Sequence, residues 1–373
     1  MKTDRFLAAL TLFAAAACGG NATTSEYADA VPEVSSAQLE ITGNSAAEGL
    51  VREDGSSDAI QQDVTLSNPP EWLAKTRAGI KELNDYVKKV MAPISVLVLE
   101  TAKADPAVGS VQVFGPKDQG NANWKLSVKK KADKKFTWKL EARTLGSTDD
   151  AAFKIVAVGE MDRAAEAAHH GKGVLGLDLD AYATVDTTSK GTGKLLAAFA
   201  HAGPGKVLVY RLKNFTPDSS AHAAVSAVIY GHKTASGETV VRVASVSDVV
   251  AGPALELMFS HLHWMPGVGG RADLLIPNKG VNGTAPNGDL PSTKFGVGKS
   301  CWNAQEQEGF KTVGLCTVGQ GVAGCTFDTA GAVSACTASG KDASENESKD
   351  DTTEEDGAPA QVPSDPPTDM PAF

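Results

Sequence analysis

Five cysteines carry the most legible chemistry in this 373-residue chain, and they divide into one and four. Cys301, Cys316, Cys325 and Cys336 fall within 36 residues, with 14, 8 and 10 residues between them. Structural zinc pairs are usually two to four residues apart, so this spacing argues against zinc. In an exported protein an even set reads as two disulfides, with three connectivities open. Other chemistry is thinner. His261 and His263, at i and i+2 on a strand, share a face that His222 or His232 can approach. Their alternation with Leu262 and Trp264 fits an ordinary strand face better, and no metal or other cofactor is expected. Asp178 and Asp180 also share a strand face, a pattern used in acid/base work or calcium binding; a wet sheet face paired with lysine is the simpler reading. His169-His170 reads as a solvated loop. Gly191-Thr192-Gly193-Lys194 resembles the end of a phosphate loop, but Thr188 and Leu195 stand where it needs glycine and a hydroxyl residue. Neither Gly-x-Ser-x-Gly nor His-Glu-x-x-His occurs. The chain is expected not to be an enzyme.

The fifth cysteine has a different setting. Lys2 and Arg5 precede an apolar run, Phe6 to Ala17, of 12 residues. That is short of the roughly 20 residues of a membrane-spanning helix and fits the core of a secretory signal. The run ends Ala15-Ala16-Ala17-Cys18-Gly19, which resembles the lipobox of bacterial lipoproteins, although that family prefers leucine where Ala15 stands. The resemblance implies that residues 1–17 are removed and that Cys18 takes a diacylglyceryl group and an acylated amine. Two or three chains, at roughly 0.8 kcal/mol per methylene, anchor a protein durably. Gly19, where enteric lipoproteins retained at the inner membrane carry aspartate, implies the outer membrane.

Charge is uneven. The total is −10, yet residues 18–68 hold nine acids against Arg52 alone, and residues 337–373 hold ten acids against Lys341 and Lys349. With +1 from the signal, residues 69–336 carry +5. Both acidic segments have little to bury, so they read as a flexible tether (18–68) and a disordered tail (337–373). Within the body, Lys125, Lys129, Lys130, Lys131, Lys134, Lys135 and Lys139 form the strongest single-sign patch, suited to an anionic envelope component. Export and the lack of interleaved aromatics argue against nucleic acid.

The body opens at Asn68-Pro69-Pro70. Trp72, Ile80, Leu83, Val87, Val90 and Met91 recur at helical spacing, which predicts a helix from about Pro70 to Met91, ending near Pro93. Then the period becomes two. Trp124, Leu126 and Val128, then Phe136, Trp138, Leu140 and Ala142, alternate with polar residues as in a hairpin with one wet face. Further strands are expected at Phe153–Met161, Val174–Asp180, Leu195–His201, Lys206–Phe215, His222–Lys233, Glu238–Val246, Leu255–Trp264 and Arg271–Ile276. Turn signals such as Gly203-Pro204-Gly205 separate them. The fold class is mainly β (α+β): a curved antiparallel meander or partial barrel packed on one N-terminal helix.

Gly115-Pro116, Trp124, Trp138, Asp178-Leu179-Asp180, Cys301-Trp302-Asn303 and Cys325-Thr326-Phe327, in this order after a lipobox, resemble a set of uncharacterised β-rich bacterial lipoproteins. The resemblance implies a fold and an envelope address, no known activity, and the pairing Cys301–Cys325 with Cys316–Cys336. The expected role is structural or surface-interacting. The alternative is a carrier of lipid or another hydrophobic ligand, should Trp138, Leu140, Phe153, Ile155, Leu177 and Val209 line a void.

Overall fold

The computed structural model describes residues 26–39, 64–98, 109, 111–163, 171–202, 205–216, 225–247, 250, 254–280, 283 and 285–339. The signal segment, Cys18, His169-His170, His222 and the acidic tail beyond residue 339 lie outside them. Helix α1 (Glu71–Leu97) precedes fourteen strands among the described residues. These begin with β1 (Val111–Gln119), β2 (Ala122–Ala132), β3 (Lys135–Thr144), β4 (Lys154–Arg163) and β5 (Gly171–Asp178). A short helix, α2 (Leu179–Val185), leads to β6 (Thr192–Ala202), β7 (Gly205–Thr216), β8 (Val225–Lys233) and β9 (Thr239–Ser247). The last five are β10 (Glu256–Met265), β11 (Gly269–Ile276), β12 (Lys294–Asn303), β13 (Glu308–Thr317) and β14 (Cys325–Gly331). Every strand pairs antiparallel with its successor, and β1 and β14 are the two edges of one open sheet. The meander expected from period-two patterning is the fold.

Alternation decides which face is inside. In β2 and β3, Trp124 opposes Ala142, Leu126 opposes Leu140 and Val128 opposes Trp138, all buried. This face packs on α1. The helix meets β12 through Trp72, β7 through the Tyr86–Phe215 ring contact, and β1 through Leu97 beside Gly115. One helix can touch both β1 and β12 of a fourteen-stranded sheet only if the sheet curls around it. Close approach demands it: a Cβ added to Gly298 would stand 2.5 Å from the Trp72 ring. Arg77 closes the far side with a two-pronged ion pair to Glu306 at 2.6 and 2.7 Å. Lys311 reaches Glu71 at 2.7 Å. Burial works against the Glu71 charge, but Lys311 and Lys75 outweigh it and bring its pKa to about 2.

Four expectations need correction. Helix α1 does not stop near Pro93; it runs through that proline to Leu97. An interior proline costs roughly 3 kcal/mol, but Ile94 and Leu97 are buried beyond it, and each such side chain contributes about 1.5–3 kcal/mol. Packing wins. Second, part of the expected tether belongs to the body. Residues 26–39 lie on the inner face, with Tyr27, Ala30, Val31, Ala37 and Leu39 buried. Asn84 of α1 accepts from the Leu39 N–H (3.0 Å) and donates to its carbonyl (2.8 Å). The Tyr210 hydroxyl and the Lys206 ammonium hold the Ala37, Ser35 and Gln38 carbonyls. Burial keeps that hydroxyl neutral by raising its pKa.

Third, Asp178 and Asp180 share no strand face. Asp178 ends β5 and caps α2, accepting from the Ala181 N–H at 3.0 Å; Asp180 accepts from the Gly193 N–H at 2.9 Å. They are turn-builders. Fourth, Phe153 and Ile155 do not point inward. A bulge at Leu140/Glu141 pairs Leu140 with Ala157 and Glu141 with Ile155. Ile155 is consequently 43% exposed, while Val156 is fully buried.

Candidate functional site

Both disulfides form, and their pairing differs from the one the resemblance implied: Cys301 joins Cys336, and Cys316 joins Cys325. The sheet dictates this. Cys316 and Cys325 stand directly opposite each other in β13 and β14. Cys301 opposes Phe310, which opposes Gly331. Cys325 therefore lies six residues along β14 from the level of Cys301, about 20 Å away at roughly 3.3 Å per residue. A disulfide needs Cα atoms within roughly 7 Å. The 3₁₀ turn Val333–Ser339 instead folds back over β12 and brings Cys336 to Cys301. Cys301, Phe310 and Cys336 bury one another on the outer face, away from α1.

His232 and His263 stand opposite the same residue of β9, Val240, with one strand between them. His263 pairs with the Glu238 carboxylate. His232, two strands away, has its pKa lowered by burial, an effect Glu238 opposes. Among the described residues no group of three His, Cys, Asp or Glu is placed to hold a metal ion. Asp186, beside α2, is a structural carboxylate. Burial opposes its charge, yet hydrogen bonds from Thr188, Tyr182 and Asn121 outweigh that and bring its pKa to about 2.

The lysine patch separates into two sets. Lys125 and Lys139 flank Glu141 at 3.4 and 3.3 Å, and Lys125 also lies over the Phe153 ring at 4.1 Å. Lys130 turns inward to Glu26 at 2.9 Å, next to Arg163, which reaches Asp29 at 3.4 Å. Sequence reasoning missed this docking point because Glu26 and Asp29 sit in a segment with no apolar period. Lys129, Lys131, Lys134 and Lys135 form no ion pair among the described residues. The last three are exposed around the β2–β3 turn, where Lys134 takes a left-handed backbone (φ 57°).

Among the described residues, those proposed to line a hollow do not do so together. Trp138, Leu140 and Leu177 are fully buried on the face that packs on α1 and residues 26–39, and Val209 points to the opposite face. A cavity of about 460 Å³ lies instead at the lysine-rich end of β3–β6, lined by Lys131, Lys135 and Lys172 together with Phe136, Met161 and Phe199. Among the described residues no helix is long and apolar enough to cross a membrane.

The chain is thus an open antiparallel meander wound on a helix, stapled near its C-terminal edge by two disulfides. No family model, curated protein or solved structure matches it.

Proposed function

We propose that this protein is a lipid-anchored component of the bacterial cell envelope, resident at the outer membrane, with a structural or surface-interacting rather than catalytic role. The observation that carries the reading is the apolar run Phe6–Ala17 closing on Ala15-Ala16-Ala17-Cys18-Gly19. Two disulfides in the body support it, because such bonds persist in the oxidising compartments to which a signal segment leads. Acyl chains on Cys18 supply the membrane affinity.

Cys18→Ser tests the reading. The variant should accumulate as a precursor that takes up no labelled palmitate; its normal maturation and release would overturn the assignment. Membrane fractionation of the native protein tests the outer-membrane address. The carrier alternative rests on the cavity at the lysine-rich end. Saturable loading of the purified protein with a fluorescent fatty acid is its test.

A further inference from the structure

We propose that the β2–β3 end of the sheet, Lys129 to Lys135, is the face that meets the membrane, and that it docks on anionic phospholipid headgroups. The inference rests on acylation of Cys18 and adds to it an orientation and a second, electrostatic contact.

The first support is reach. Glu26 is fixed to Lys130 and Arg163, and Tyr27 packs on Phe136 with ring centroids 6.2 Å apart. Eight residue steps separate Cys18 from Glu26. Fully extended, eight steps span at most about 29 Å, so an acylated Cys18 holds this end of the body within that distance of the bilayer. The 11 residues of β2 extend away from the turn, about 36 Å at 3.3 Å each. The β1–β2 end is correspondingly remote.

The second support is charge. Lys129, Lys131, Lys134 and Lys135 are unpaired among the described residues, and Lys172 lines the adjoining cavity. Asp133, Glu160 and Asp162 lie at the same end, so the described residues there are net positive in a chain whose total is −10. Lysines at a turn are compact point charges suited to headgroup phosphates, each strengthening attraction to an anionic leaflet roughly fivefold. They act only within about one Debye length, roughly 8 Å at physiological salt. The short link to Cys18 provides that proximity. Lys130, the one lysine of the turn region facing inward, is consumed by Glu26, so the residues that hold the anchoring segment are distinct from those that touch lipid.

The test uses residues 18–373 carrying Cys18→Ser, so that no acyl chain contributes. Co-sedimentation with vesicles of phosphatidylcholine alone and with phosphatidylglycerol added should show binding only to the latter, weakened by salt. Combining Lys131→Gln, Lys134→Gln and Lys135→Gln should reduce that binding about a hundredfold. The equal charge change at the opposite end, Lys154→Gln, Lys213→Gln and Lys279→Gln, should leave it within about twofold. Equal binding to both vesicle types, equal loss in the two triple variants, or binding to an anionic polysaccharide in preference to vesicles would overturn the inference. None of these outcomes depends on how Cys18 is processed, so failure of the docking face and failure of the lipoprotein assignment are separately visible.

Discussion

The two disulfides close loops of very different length, and that difference makes a sharp test of the pairing. Cys301–Cys336 spans 35 residues and Cys316–Cys325 spans 9. In the chain-entropy model the first contributes about 3.8 kcal/mol and the second about 2.6 kcal/mol. The constant in that model cancels in the comparison, leaving about 1.2 kcal/mol from the ratio of loop lengths. Replacing Cys301 and Cys336 with alanine also removes two buried sulfurs from the contact with Phe310, which widens the gap. Replacing Cys316 and Cys325 adds less, because Cys325 is half-exposed. Urea unfolding of the two double variants, with tryptophan fluorescence as the signal, should give the Cys301/Cys336 variant the lower unfolding free energy by at least that margin. Peptide mapping without reductant should recover one disulfide in each. A Cys316/Cys325 variant as weak as the other, or a recovered Cys301–Cys325 peptide, would refute the reasoning from strand register.

Leu39→Ala should destabilise the whole domain by about 2–4 kcal/mol, since Leu39 is 1% exposed against Gly231; a silent change would mean that residues 26–39 are not part of the cooperative unit. Gly298→Ala should cost about 1–3 kcal/mol by overpacking against Trp72 and shift the emission of that tryptophan. The folded pKa of Asp186 is depressed from 3.8 to about 2, so its contribution is present above about pH 4 and lost as pH falls towards 2. Asp186→Asn should remove about 2 kcal/mol at pH 7 and flatten the acid limb of a stability–pH curve; an unchanged limb would refute the assignment.

Where bulky inward residues alternate over several positions, as in β2 and β3, the sequence announced the strand. Trp124, Leu126 and Val128 against polar neighbours gave the β2–β3 hairpin, and strands β4 to β11 lie close to their expected spans. Beyond Ile276 the signal weakened, because on its buried face β12 carries Gly296, Gly298 and Ser300 before it reaches Trp302, and Trp72 of the helix presses against Gly298. Half of the alternation was erased by the very contact that makes those strands structural. The bulge before Ile155 and the reach of α1 past Pro93 are decided by tertiary packing, which local period cannot report. The docking of residues 26–39 was invisible for another reason: its buried residues, Tyr27, Ala30, Val31, Ala37 and Leu39, follow no single period, and the rest of the contact is backbone carbonyls gathered by Tyr210, Lys206 and Asn84. The cysteines were read correctly as two cross-links, whereas their partners depended on register that only the fold supplies.

The order of the parts along the chain also sets an order of assembly. Chains emerge from synthesis and export N-terminus first, so α1 appears before any strand, its apolar stripe uncovered. Each later strand has its partner already beside it, because every pairing joins neighbours in sequence. Such local pairing carries little loop-closure penalty and favours rapid zippering. The helix thus acts as a mandrel on which the sheet is wound turn by turn. Winding is complete only when β13 delivers Lys311 to Glu71 and the turn before it delivers Glu306 to Arg77. Residues from the last third of the described chain thus latch the start of a helix that precedes every strand, so a chain interrupted before residue 306 would lack both latches.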